Sequence, residues 1–262
     1  MILTANIGNS HITFGCEEDG TVVFVDRTST DLKKTDLEYA ITFTRSLEAH
    51  HIALSEIRGV VLSCVVPSIL GIIRQAVKRL FNFDPYVVSI DSAFNMTTAL
   101  DKPSELGGNL IAASVGAIET YGSPVIIIDM GTATSIGVID RNHRYLGGVI
   151  LPGLQASVNA LAGGAALLPE IELTGTDKPF GRNTIEAINS GVIYGNAGMI
   201  DRILSEILAS QSPEFRHDVK IIATGHLSNM LMPFVHYPVQ LDEHLLVKGL
   251  ALIYHHFQEV QA

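Results

Sequence analysis

The sequence predicts an α/β protein made of two duplicated lobes. Three observations predict it. Strand-like runs alternate with stretches of helical periodicity along the whole of the 262 residues. Each half opens with three short strands joined by turns and then becomes helical. Residues 6–14, NIGNSHITF, can be laid over residues 129–137, DMGTATSIG, at an offset of 123. Each stretch is a strand end, an X-Gly-polar turn and a return strand.

The elements follow in order. Residues 2–6, 10–16 and 20–27 read as strands, with turns at Gly8-Asn9 and Asp19-Gly20. Residues 35–51 read as a helix, with Leu37, Ala40, Ile41, Phe43 and Leu47 at helical spacing. RGVVLSCVV at 58–66 is a nearly continuous apolar run, which suits a strand covered on both faces. Pro67 can open a helix running to Phe81, and YVVSI at 86–90 is the next strand. In the second half, PVIIID (124–129), TATSIGVID (132–140) and HRYLGGVI (143–150) are strands. Helices are expected over 153–163 and 183–209, a strand over 220–224 and a closing helix over 243–258. The lobes are therefore expected at 1–117 and 118–262. A cleft between them, with one glycine-containing hairpin from each, is the expected nucleotide site.

Composition narrows the partners. With 47% hydrophobic and 17% charged residues the chain can bury a sizeable core. Acidic residues outnumber basic ones 27 to 17, which argues against a nucleic-acid backbone or an anionic membrane as the main partner. A small basic pocket for a phosphorylated ligand stays compatible with that balance. Cys16 and Cys64 lie in apolar runs and read as buried thiols of a reduced protein. No apolar run reaches the roughly 18 residues of a membrane span. No signal peptide is visible, so a cytoplasmic location is expected. The histidine pairs His50-His51 and His255-His256 lack metal spacing and read as solvated helix faces.

LTANIGNSHITFG, residues 3–15, is a strand, a Gly-Asn-Ser turn and a second strand. Such a turn can present backbone N–H groups to a phosphate. Sites of this kind need a carboxylate at the end of the first strand to hold magnesium, and that place is taken by Asn6. In the second half Asp129 ends an apolar strand, Gly131 lets the backbone approach a phosphate, and Thr132 and Thr134 offer hydroxyls. Asp-X-Gly-Thr is also an ordinary hairpin turn, and that reading stays open.

The motifs NIGNS (6–10), SCVVP (63–67), KPSELGGN (102–109), DMGTATS (129–135), GGVILPGL (147–154), GRNTIEAINSGVIYG (181–195), ATGHL (223–227) and LLVKGLALIY (245–254) resemble, in order and over nearly the whole chain, the type III pantothenate kinases. These belong to the acetate-kinase/sugar-kinase/Hsp70/actin superfamily. The resemblance implies two ribonuclease-H-like lobes. It also implies transfer of the ATP γ-phosphoryl group to the terminal hydroxyl of pantothenate, giving 4'-phosphopantothenate on the way to coenzyme A. Such kinases are homodimers that need magnesium and potassium or ammonium, with a pantothenate pocket shared between subunits. Carried over by resemblance, Asn6, Gly8, Asn9 and Ser10 form the first phosphate loop, and Gly131, Thr132 and Thr134 the second. The resemblance likewise implies that Gly225 lies beside the adenine and that Asp129 holds the monovalent cation. Thr184 touches pantothenate, and Gly107, Gly108, Asn109 and Leu110 form the substrate motif.

Several positions depart from the family pattern. The family has aspartate at position 6 and Gly-X-Asp-Arg at 107–110; here stand Asn6 and Gly107-Gly108-Asn109-Leu110. A glycine pair is Gly225-His226, and an expected tyrosine stands as Leu100. Asn6 accepts hydrogen bonds more weakly than a carboxylate, so magnesium affinity should fall. It can also simply close the turn. Asn109 cannot serve as the general base, a role worth about 10²–10⁴ in rate, and it can equally be a helix N-cap. Leu110 cannot pair with the substrate carboxylate, which predicts about 10- to 150-fold weaker binding.

Three readings follow. The chain is a working kinase with positive charge supplied by Lys102, Lys178 or Arg182. Or it is a weak or inactive paralogue, a pseudoenzyme, serving as a partner or regulatory subunit in a homodimer or in a heteromer with an intact paralogue. Or it is a kinase for a substrate without a carboxylate, with Leu100 and Leu110 lining an apolar pocket. Gly191, Gly195 and Gly198 share one helix face, which predicts either a dimer seam or close packing within the lobe.

Overall fold

The computed structural model describes residues 1–165 and 167–261. They divide into two compact units, Met1–Thr120 with the segment from His244 onward, and Tyr121–Glu243.

In the first unit, β1 (Ile2–Ile7), β2 (His11–Glu18) and β3 (Thr21–Ser29) form an antiparallel meander. The apolar run at 58–66 becomes β4 (Gly59–Cys64), parallel to β1, and β5 (Tyr86–Val87) pairs with β4. The order is β3-β2-β1-β4-β5. Alternate residues of each strand point to opposite faces. Leu3, Ala5, Ile7, Ile12, Phe14, Val60 and Leu62 form one core with Tyr39 and Phe43 of α1 (Asp36–Ala49) and Ile69 and Ile73 of α2 (Pro67–Phe81). Helix α1 starts at a capping box, Thr35 and Glu38 each satisfying a backbone N–H of the other. Helix α2 opens on Pro67 and ends at Asn82 in the left-handed conformation. A two-residue strand β6 (Thr97–Thr98) precedes α3 (Gly108–Tyr121).

The second unit repeats the plan. Strands β7 (Val125–Met130), β8 (Ala133–Ile139) and β9 (Arg144–Pro152) form a meander, and β10 (Lys220–Thr224) lies parallel to β7. With β11 (Gln240–Leu241) the order runs β11-β10-β7-β8-β9. The third, second, first and fourth strands thus stand in the same sequence as in the first unit. Helices α4 (Leu154–Gly164) and α5 (Thr184–Ser210) carry Leu154, Val158, Ile188, Val192 and Ile193 into a second core with Ile126, Ile128 and Ile136. The short α6 (Pro213–Asp218) and α7 (Ser228–Leu231), and β6 and β11, carry no periodicity long enough to be read from the sequence. Both units have the ribonuclease-H-like order, as the duplication predicts.

Two expectations are corrected. The overlay of 6–14 on 129–137 needs a shift at the turn. Gly8 N–H donates to His11 O (3.0 Å) but Gly131 N–H to Ala133 O (3.0 Å), so the first hairpin is one residue longer. The closing helix α8 (Leu245–Gln261) belongs with the first unit rather than with 118–243. It packs on the sheet face opposite α1 and α2. Tyr254 lies directly over Gly59, and His255 Nε2 bonds the carboxylate of buried Glu17 at 2.9 Å. Gly116 of α3 meets Gly249 of α8 so closely that a Cβ on Gly249 would collide with Ala112 O. His256 stacks on Phe94 at 4.2 Å, so this histidine pair helps anchor the helix, although His255 is exposed to solvent. No described helix is long and apolar enough to cross a membrane.

Candidate functional site

In the first unit, Asn6 is half-buried near the end of β1, in register with Thr13 on β2 and Ser63 on β4. Ser63 is fully buried, and its hydroxyl donates to Asn6 Oδ1 at 3.0 Å. Ser63 Oγ would also stand 3.2 Å from a Cβ on Gly108. Ser63 therefore links the strand end to the first turn of α3, a role the sequence signals only as a lone hydroxyl in an apolar run. The turn is pinned by Thr30, whose Oγ1 donates to Gly8 O (2.7 Å) and whose N–H donates to Ser10 O (2.9 Å). With those carbonyls engaged, Asn9 and Ser10 stand exposed at the tip.

Helix α3 takes its first bond from Ile111 N–H to Gly107 O at 3.0 Å. Gly107 is thus the N-cap, and Asn109 lies inside the first turn instead of capping it. The Asn109 side chain folds back over Gly107, with Oδ1 2.8 Å from where a Cβ would be. Leu110 and Leu100 are half-buried.

In the second unit, Asp129 is half-buried near the end of β7, in register with Ser135 on β8 and Thr224 on β10. This is the Asn6–Thr13–Ser63 arrangement with a carboxylate in place of the amide. The Gly131-Thr132 turn rests on Gly153, whose N–H donates to Thr132 O at 3.2 Å. A side chain at Gly153 would collide with the Thr132 and Gly131 carbonyls. Gly225, at φ +94°, lies equally close over the backbone of Met130, with exposed His226 beside it. Gly131, Thr132 and Gly225 are thus brought together around Asp129. Thr134 is not: it pairs with Met130 on the core side of the strand and is buried, and Ser135 takes its place beside Asp129.

Thr184 is the exposed first residue of α5, whose N-cap Asn183 accepts from Glu186 N–H at 2.9 Å. Lys178 pairs with Glu186 (3.1 Å) and Lys102 with Glu105 (3.2 Å). Of the three candidate substitute cations, only the Arg182 guanidinium has no carboxylate partner among the described residues. Gly191, Gly195 and Gly198 are exposed, and a Cβ on any of them would meet nothing within 4 Å. Close packing within the unit therefore does not account for them.

The family model for type III pantothenate kinase matches residues 2–206. The chain belongs to the type III pantothenate kinase family. A type III pantothenate kinase from Finegoldia magna is 35% identical over 253 residues, covering 97% of this chain and 96% of that one. Two solved structures share the fold. A conserved putative Baf family transcriptional activator from Campylobacter jejuni is 19% identical, with a TM-score of 0.58 over 98% of this chain and 99% of that one. The activator of 2-hydroxyisocaproyl-CoA dehydratase from Clostridium difficile, with bound ADPNP, is 12% identical, with a TM-score of 0.58 over 99% and 96%. Membership of the pantothenate kinase family implies an ATP-using kinase of coenzyme A biosynthesis acting on a small molecule, with a divalent metal.

The two strand ends differ in the oxygens they offer a metal. Asp129 brings a carboxylate, in register with the hydroxyl-bearing residues Ser135 and Thr224. Magnesium demands oxygen, preferably charged. Asn6 offers one neutral oxygen that already takes the Ser63 proton, and its register neighbours are hydroxyls. Position 6 does not fit a magnesium ligand.

Proposed function

We propose that this chain is a nucleotide-binding type III pantothenate kinase whose own turnover of pantothenate is slow. The observation that carries the reading is the first turn of α3. Asn109 folds back over Gly107, and Leu110, at the position where the family pattern has an arginine for the substrate carboxylate, carries no charge. Transfer requires the pantothenate hydroxyl to attack the γ-phosphorus, lose its proton and expel ADP. Asn109 cannot take that proton at neutral pH. The phosphoryl transition state is loose enough that positioning alone sustains some rate. On this reading Gly8, Asn9, Ser10, Gly131, Thr132 and Gly225 cradle ATP, and Asp129 with Ser135 and Thr224 holds potassium or ammonium. The protein works in the cytoplasm.

The test is pantothenate phosphorylation by the unmodified chain and by the triple variant Asn6→Asp, Asn109→Asp, Leu110→Arg, with ATP, magnesium and potassium. We expect the variant to be faster by at least about 10²-fold, the lower range of general-base assistance. Robust turnover by the unmodified chain would overturn the reading.

A second reading, a subunit that completes a neighbour's pocket, is favoured by one observation. Thr184 and the open glycines Gly191, Gly195 and Gly198 lie along one exposed face of α5. A second copy of the chain is the proposed occupant of that face. An intact paralogue on the same face would give the heteromer.

A further inference from the structure

The sheet face that carries Asn6 holds a row of polar side chains across four strands. Arg27 on β3 stands opposite Thr13 on β2, Thr13 opposite Asn6, and Asn6 beside Ser63 on β4. Aligned residues of neighbouring strands project from one face, about 5 Å apart per strand. The long Arg27 side chain can therefore reach over Thr13 toward a ligand at Asn6. His11 and Ser29, two residues further along their strands, share this face. Helix α8 covers the other end of it, through Tyr254 on Gly59 and His255 on Glu17. At the row itself Asn6 and Thr13 are half exposed and Arg27 is exposed.

Arg27 makes no hydrogen bond or ion pair among the described residues. Its charge acts on His11, whose pKa is lowered first by burial and then by Arg27. No carboxylate stands in the row. On a chain of net charge −10, an arginine on an open sheet face with no counter-ion is matched to an anion from outside.

The amide of Asn6 is oriented to agree. The Ser63 hydroxyl makes no other hydrogen bond among the described residues, so turning the amide over would strand a buried hydroxyl proton. The orientation that satisfies Ser63 leaves the Asn6 NH₂ group without a partner among the described residues. Water held by a metal presents its protons, and an NH₂ group would meet them with protons of its own. A phosphate oxygen is the acceptor that fits both the NH₂ and the guanidinium.

We propose that Arg27, Thr13 and Asn6 bind the phosphate tail of a nucleotide directly, with Arg27 supplying the positive charge and no divalent ion held at Asn6. This rests on the nucleotide-binding part of the proposed function and adds the metal-free form as the preferred ligand.

The experiment is calorimetric titration of the full chain with ATP, once in EDTA and once in excess magnesium. The affinity in EDTA should equal or exceed that with magnesium. Arg27→Gln should weaken binding in EDTA about 10- to 150-fold, the value of one charge-assisted hydrogen bond. Arg27→Lys should lose less, since it keeps the charge without the fork. Asn6→Asp should invert the pattern, with poor binding in EDTA and recovery with magnesium. Binding by the unmodified chain that requires magnesium, or an Arg27→Gln variant that binds as before, would overturn the proposal and leave the nucleotide-binding reading standing. No binding in either buffer would overturn both.

Discussion

Gly153 shows how little room a single residue leaves around the second phosphate-type turn. Its N–H holds Thr132 O, and any side chain would meet the carbonyls of Gly131 and Thr132. Gly153→Ala should therefore cost about 1–3 kcal/mol in urea denaturation and weaken ATP binding through the displaced turn. Unchanged stability and affinity would show the turn to be freer than its contacts suggest. Gly153 sits in a stretch, GGVILPGL, that the sequence marks out, yet its close approach to position 132 is a tertiary fact. The same holds for Ser63 and Arg27. Asn6 is conspicuous because a carboxylate is expected there, whereas its partners are fixed by register across β2, β3 and β4. Asp129 was legible as a strand-end carboxylate. Thr134 was misplaced because the sequence does not say where β8 begins, and one residue of strand changes the face.

At the scale of elements, helices α2 and α8 carry glycines of opposite meaning. Gly71 lies mid-helix on the exposed side of α2, where a Cβ would meet nothing within 4 Å. Gly249 lies where α8 crosses α3, with no space for a methyl group. Gly71→Ala should stabilise the chain by up to about 1 kcal/mol through helix propensity. Gly249→Ala should destabilise it by at least about 2 kcal/mol, since a backbone oxygen cannot move aside as a side chain can. Chemical denaturation of the two variants checks both signs. Periodicity located the long elements well: α2 runs from Pro67 to Phe81 as Pro67 and the apolar spacing indicate. It failed at β5, where YVVSI yields only Tyr86–Val87 as strand. It also failed at the start of α3, where two glycines before Asn109 leave the cap ambiguous until the Ile111–Gly107 bond is seen.

For the whole molecule, the exposed face of α5 bears on assembly. Thr184, Ile185 (53% exposed), Gly191, Gly195, Gly198 and Met199 (39% exposed) leave an apolar and flat helix face bare. A second copy seated there would need about 800 Å² from each partner. Light scattering of the unmodified chain should give the mass of a dimer, and Gly195→Leu should give a monomer of unchanged circular dichroism. A monomeric parent chain, or a variant dimer of unchanged strength, would reject the seam. The duplicated plan was legible because each half repeats the meander and the parallel strand that follows it. What escaped was the destination of the last helix, because its amphipathic pattern names a buried face without naming the sheet it covers.

That destination bears on how the chain comes off the ribosome. The second unit is one continuous stretch and can complete its strands and both long helices before α8 emerges. The first unit begins to emerge before the second yet is completed after it. Until Leu245–Gln261 emerges, Gly59 has no tyrosine over it and Glu17 has no histidine. The nascent protein thus carries one finished unit and one whose sheet still has a face uncovered at Gly59 and Glu17, an incomplete state of the kind that chaperones hold during translation.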